Sequence, residues 1–171
     1  TDGSSKETIN VVNPANGKDI GQVVCAQTDD VNAAVEAALN SYKSRVLVDM
    51  LPMERAKLMR SIANELRAVS KEGGKLLCYE NGKLLANAEY EFVDGANYFD
   101  YYSGMTDKLE GSTIPVNTKV VDYTLLEPYG VSGHIIPWNF PISMLARSLA
   151  CAFAAGNSTV IKTAELTPLA T

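Results

Sequence analysis

The sequence predicts an α/β fold organised around a parallel βαβ unit, and three observations carry that prediction. An apolar run, Val131 to Ile136, stops at Pro137, and a second proline follows at Pro141. A helical pattern of Met144, Leu145, Leu149 and Phe153 then closes at Gly156-Asn157. A β-branched run, Thr159-Val160-Ile161, follows at once. Strand, tight loop, helix, glycine stop and strand is the order of a βαβ crossover. Its loop lies at the carboxyl end of the first strand, the edge of an open α/β sheet where ligands bind.

In chain order, Thr1 to Glu7 is expected to be a frayed tail. Thr8 to Val12 forms a short strand, Pro14-Ala15-Asn16-Gly17 supplies the turn, and Asp19 to Cys25 returns as a second strand. Thr28 is placed to cap a helix with Asp29 and Asp30 in its first turn, where acids suit the helix dipole. Its apolar stripe is Val31, Ala34, Val35, Ala38, Leu39 and Tyr42. Pro52 opens a second helix at a position that tolerates proline. The stripe there is Met59, Ile62, Ala63, Leu66 and Val69, with Arg55 and the other charges off it. Ser70 is placed to cap a continuation that stops at Asn81-Gly82. From Leu85 another helix carries Ala88, Phe92, Ala96 and Phe99, and ends at Gly104 or Gly111. Lys119 to Glu127 is extended and of mixed polarity, an exposed edge that invites pairing with another chain.

Composition narrows the function. The chain of 171 residues is 46% hydrophobic and 20% charged, ordinary for a globular domain able to bury a core. A net charge of -5 and a pI near 4.9 argue against nucleic-acid or anionic-membrane partners. No apolar run is long enough to span a bilayer and no hydrophobic signal region opens the sequence. Cys25, Cys78 and Cys151 are odd in number and lack a CxxC, so a reducing, cytoplasmic setting is expected, with no metal site.

Three blocks then occur in order: Pro137-Trp138-Asn139-Phe140-Pro141, Ala154-Ala155-Gly156-Asn157, and Val160-Ile161-Lys162-Thr163-Ala164-Glu165-Leu166-Thr167-Pro168-Leu169. Together they closely resemble the aldehyde dehydrogenase superfamily, and the resemblance extends back to Asn13-Pro14-Ala15-Asn16-Gly17. It implies a Rossmann-like parallel sheet with flanking helices plus an extended oligomerisation strand. Residues 1–118 would be the first part of an NAD(P)-binding domain, 119–129 a bridging strand, and 130–171 an incomplete βαβ unit of the same domain, with the catalytic domain absent. It further implies a small-molecule aldehyde substrate, NAD as cofactor with NADP as the alternative, and a homodimer or homotetramer.

Site residues follow. An amide on a fixed loop can donate to the oxyanion formed when a nucleophile attacks a carbonyl. From the loop alone, Asn139 is as well explained by its turn conformation; the resemblance decides for an oxyanion donor. Lys162 is a charge at the end of an expected buried strand, costly unless it reaches water or a partner. The resemblance places it, and Glu165, on the adenosine ribose of the cofactor. It places Ile135, Ile136, Pro137 and Trp138 along the cofactor groove. No GxGxxG is present, and this family binds its cofactor without one.

Other features point elsewhere. His134 is the single histidine, expected to be packed rather than catalytic. Glu72-Gly73-Gly74-Lys75 reads as a helix boundary, and Asn157-Ser158-Thr159, although a glycosylation sequon, as a turn. Tyr98, Tyr101 and Tyr102 suit either a tunnel wall or a core. Arg147 suits either a substrate's polar tail or solvent. The resembled mechanism needs a cysteine thiolate to form a thiohemiacetal, a hydride transfer to NAD(P)+ and a glutamate that activates water. None of the three cysteines has a matching context, and Cys151, in an apolar stretch, is expected to be an inert buried thiol. The nucleophile and base are therefore expected beyond Thr171. The alternative from another class is a non-catalytic nucleotide-binding or assembly module.

Overall fold

The computed structural model describes residues 5–171. Thr8–Asn13 (β1) and Lys18–Val24 (β2) pair antiparallel. Gly17, at φ 68°, closes the turn by donating its N–H to the Asn13 carbonyl at 2.8 Å. Glu7 belongs to this hairpin rather than to a tail, since its carbonyl accepts the Cys25 N–H at 2.9 Å. Thr1 to Ser4 of the expected tail lie outside the described residues.

Thr28–Lys43 (α1) begins at Thr28 itself, the residue expected at the cap position. Gln27 takes that position, and its N–H donates to Asp30 Oδ2 at 2.8 Å. Of the predicted stripe only Ala38 is buried; Val31, Val35 and Leu39 remain exposed. Pro52–Ala68 (α2), Ser70–Asn81 (α3) and Leu85–Ser103 (α4) follow. Pro52 sits in the first turn as expected, and Gly104, not Gly111, ends α4. Ser70 does not cap α3; Val69 occupies that position. Arg55, expected off the apolar stripe, is buried. It is 8% exposed, because its Nη1 donates to the Leu47 carbonyl at 2.7 Å, and burial lowers its pKa. Val69, expected in the core, is exposed.

Gly73 and Gly74 lie inside α3, not at a boundary. A Cβ on Gly74 would come within 2.7 Å of the Glu89 Cα, and one on Gly73 within 2.3 Å of the Phe92 ring. The glycines exist to let α3 lie against α4. Gly74→Ala is accordingly expected to cost about 1–3 kcal/mol, since backbone cannot yield as a side chain can. Chemical denaturation would show it as a lower midpoint, and an unchanged midpoint would refute the close approach.

Thr113–Asn117 (β3) and Val120–Tyr123 (β4) form an antiparallel hairpin, exposed throughout. The expected strand over Lys119 to Glu127 is thus shorter, and its partner is the preceding segment of its own chain. The predicted βαβ unit is present. Val131–Ile135 (β5) and Ser158–Lys162 (β6) pair in parallel, Val131 opposite Ser158 and Ile135 opposite Lys162, joined by Pro141–Ala154 (α5). Gly156 takes φ 84° where α5 stops. Both α1 and α5 pack on this pair.

Small residues decide how α5 is seated. Met59 and Ala63 of α2, Ala96 and Phe99 of α4, and Ala146, Ala150 and Ala154 of α5 form one buried cluster. A Cβ on Gly95 would meet the Ala146 Cβ at 3.1 Å, so α4 and α5 are already in near contact. A second cluster of Leu77, Ala88, Phe92 and Ile142 joins α3, α4 and the first turn of α5. The start of α5, and the loop before it, is therefore built on α4. Residues 163–171 are irregular, with a turn at Glu165-Leu166. The Leu169 and Ala170 N–H groups donate to the Glu80 carboxylate at 2.8 and 3.0 Å.

Candidate active site

The loop between β5 and α5 begins one rung past the strand. Ile136 N–H donates to the Lys162 carbonyl at 2.9 Å, and Pro137, having no N–H, ends the pairing. Two backbone carbonyls of the loop are then held by side chains from the end of α3. Asn81 Nδ2 donates to the Trp138 carbonyl at 2.8 Å, and Thr167 Oγ1 reaches it at 3.4 Å. Lys83 Nζ donates to the Asn139 carbonyl at 2.9 Å and lies 4.6 Å from the centroid of the Phe140 ring. Gly82, at φ 80°, turns the chain so that its two neighbours both face the loop.

Lys83 also pairs with Glu91, whose Oε1 accepts the Ile142 and Ser143 N–H groups at 2.9 and 3.3 Å. Those are N–H groups that the first turn of α5 leaves open, and a carboxylate there suits the helix dipole. The Asn139 side chain is exposed and makes no hydrogen bond among the described residues, so its amide is available to donate outward.

Lys162 ends β6 beside this loop, opposite Ile135. Its expected burial is not observed. The side chain is 56% exposed, pairs with Glu165 and donates to the Thr163 carbonyl at 3.0 Å. Glu165 is 60% exposed, and the hydrogen bond from Lys162 holds its carboxyl below the usual range. A pair this exposed adds little stability and opens easily to a ligand. Lys162 and Glu165 line a groove of about 430 Å³ between β6 and the β1–β2 hairpin. Glu165 and Trp138 line a second of about 380 Å³. Ile135, Pro137 and Trp138 are exposed. Ile136 is 3% exposed and is the enclosed member of the four.

A model of the aldehyde dehydrogenase family matches residues 1–171. The chain belongs to that family. A mitochondrial aldehyde dehydrogenase of Arabidopsis thaliana, family 2 member B4, is 37% identical, the match covering 98% of this chain and 31% of the relative. A crystal structure of a putative aldehyde dehydrogenase from Burkholderia cenocepacia superposes with a TM-score of 0.95 at 32% identity, covering 99% of this chain and 36% of that one. PnpE, crystallised in complex with nicotinamide adenine dinucleotide, superposes with a TM-score of 0.94 at 34% identity over 99% of this chain and 35% of its own. The chain thus spans about a third of the length of the relatives it matches.

Around the loop, the chain departs from several sequence-based expectations. Cys151 is exposed, not buried, because it lies on the face of α5 turned from the alanine cluster. Asn157 is buried, accepts the Gly130 N–H at 2.9 Å and ties the starts of β5 and β6, a turn role as expected. His134 is half-buried, with Nε2 2.9 Å from Ser132 Oγ, and burial lowers its pKa. Tyr98, Tyr101, Tyr102 and Arg147 line an open pocket of about 480 Å³ with Asp94, while Tyr98 and Tyr102 also pack on the core. The core reading holds for Tyr98 and Tyr102, while Tyr101 is exposed. Among the described residues no His, Cys, Asp and Glu cluster suits a metal, and no helix is long and apolar enough to cross a membrane.

Sequence reasoning missed Glu80, Asn81, Lys83 and Glu91. Glu80 and Glu91 had a signal: each lies three residues after a core position, Leu77 and Ala88, so each falls on an apolar face. A carboxylate there must find donors. Burial raises the pKa of Glu80, and the N–H bonds from Leu169 and Ala170 oppose the rise.

Proposed function

We propose that this chain supplies the oxyanion donor and part of the cofactor site of an enzyme oxidising aldehydes to carboxylic acids with NAD(P)+. The observation that carries the reading is the juxtaposition at one sheet edge. An unengaged amide, Asn139, follows β5, and an exposed Lys162–Glu165 pair ends the neighbouring β6. NAD(P)+, when bound, accepts the hydride released as the aldehyde carbon is oxidised. The chain's own residues hold and polarise. Asn139 donates to the oxygen that becomes negative when a cysteine thiolate forms the thiohemiacetal, a thiolate we place outside residues 1–171.

Ribose hydroxyls both donate and accept, and Lys162 and Glu165 offer one donor and one acceptor side by side on the wall of a groove. That donor set fits the adenosine ribose. Ile135, Ile136, Pro137 and Trp138 border the cofactor's path. Residues 1–118 and 130–171 serve as parts of one NAD(P)-binding domain, and the segment 119–129 joins subunits of a homodimer or homotetramer. Three unpaired cysteines suit the cytoplasm.

The pair gives the test. A carboxylate at the ribose repels a 2′-phosphate, so the full-length protein is expected to prefer NAD+ to NADP+. Glu165→Gln should narrow that preference and Lys162→Ala should raise KM for both. Equal kcat/KM for the two cofactors in the wild type would contradict the assignment.

A further inference from the structure

We propose that Lys83 and Glu91 are positioning residues for Asn139, a buried ion pair that holds the oxyanion loop and the first turn of α5 in one fixed relation. The inference rests on the reading of Asn139 given above. Among the described residues this pair stands apart. Its side chains are 13% and 2% exposed, whereas every other ion pair is at least 36% exposed on both sides. Burying two charges is costly, and the cost is offset only where their remaining donors and acceptors are satisfied. Here they are satisfied by the loop itself. Glu91 Oε1 takes the Ile142 and Ser143 N–H groups, its Oε2 takes Lys83, and Lys83 reaches the Asn139 carbonyl.

The consequence for Asn139 is geometric. Peptide groups are planar, so a held carbonyl fixes the orientation of its whole plane. The Trp138 carbonyl, held by Asn81, fixes the plane before the Asn139 Cα. The Asn139 carbonyl, held by Lys83, fixes the plane after it. With both planes set, only side-chain torsions remain to aim the amide. Without Lys83 the second plane is released, and the amide loses its preset direction. Losses of up to about a hundredfold follow from displacements near 1 Å caused by changes away from the reacting atoms.

The experiment is a mutant cycle in the full-length enzyme, reading kcat and the KM for NAD+ by NADH absorbance. Lys83→Met is expected to lower kcat about ten- to a hundredfold with KM for NAD+ nearly unchanged. Added to Asn139→Ala it should lower kcat little further, because it acts through an amide already gone. A general structural defect would instead multiply with the loss from Asn139→Ala. Lys83→Met alone leaves a buried carboxylate without its cation and is open to misfolding. The paired variant Lys83→Met/Glu91→Gln removes both charges while keeping an oxygen for the Ile142 and Ser143 N–H groups, and it is judged by the same two readings. Wild-type kcat in either variant, or losses that multiply fully, would overturn the positioning role while a slow Asn139→Ala enzyme left the oxyanion reading standing. A fast Asn139→Ala enzyme would remove the oxyanion reading itself, and the positioning role with it.

Discussion

Asn139→Ala in the full-length protein is expected to lower kcat by about two to three orders of magnitude and to leave cofactor KM nearly unchanged. The size follows from what the amide does. On the proposed reading it gives a preset hydrogen bond to charge that exists in the transition state and scarcely in the bound aldehyde, so its loss would fall on kcat. The structure makes the substitution a clean one. The side chain is exposed and bonds to nothing else in the described chain, while the loop around it is held through backbone carbonyls that alanine keeps. Stability is therefore expected to be almost unaffected. Single-turnover measurements with saturating NAD+ would check that the slow step is chemical. A variant with near-normal single-turnover rate would rule out the oxyanion role.

The second large effect concerns residues 1–171 expressed alone: no aldehyde-dependent NADH is expected from them. On the proposed reading, none of the three thiols is expected to attack a carbonyl held at Asn139. Cys151 is on α5, about 15 Å along the axis from Pro141 at 1.5 Å per residue. Cys78 is half-buried and donates to the Lys83 carbonyl at 3.1 Å. Cys25 borders the Lys162 groove, whose described walls include no residue of 137–140. Without a thiolate there is no covalent intermediate from which hydride can leave. The same polypeptide is expected to self-associate. Val31, Val35 and Leu39 of α1, Ile135 at 82% exposure and Val121 at 82% expose apolar surface that packing normally covers. Absorbance assays with several aldehydes, run beside light scattering, test both statements. Turnover that survives purification and disappears in Cys151→Ala would contradict the first and identify Cys151 as the nucleophile; a monodisperse monomer would contradict the second.

Local signals explain which parts of the fold could be read in advance. Pro137, Pro141 and Gly156 punctuate the βαβ unit chemically, and β5, α5 and β6 lie where those residues put them. Asn81-Gly82 likewise stops α3 through a positive φ that glycine supplies. The errors share a cause, which is partnership across space. Arg55 looks like a surface charge on a helical wheel but turns inward to reach the Leu47 carbonyl. Gly73-Gly74 looks like a stop but is needed because α4 passes close by. β3 was missed because Pro115 weakens a strand signal, and only its pairing with Val121 shows it to be one. At the site, Asn139, Lys162 and Glu165 were visible through their motif, yet nothing local announced Lys83. Its role depends on a backbone carbonyl 56 residues away.

In the proposed function Asn139, Lys162 and Glu165 belong to one cofactor-dependent oxidation site. A crystal structure of the full-length protein with NAD+ would show whether they do. Lys162 and Glu165 should exchange their mutual contact for hydrogen bonds to the adenosine ribose hydroxyls, with Trp138 and Ile136 along the cofactor and the Asn139 amide directed at the nicotinamide end. NAD+ bound elsewhere, with the Lys162–Glu165 pair intact and Asn139 turned away from the nicotinamide, would contradict it.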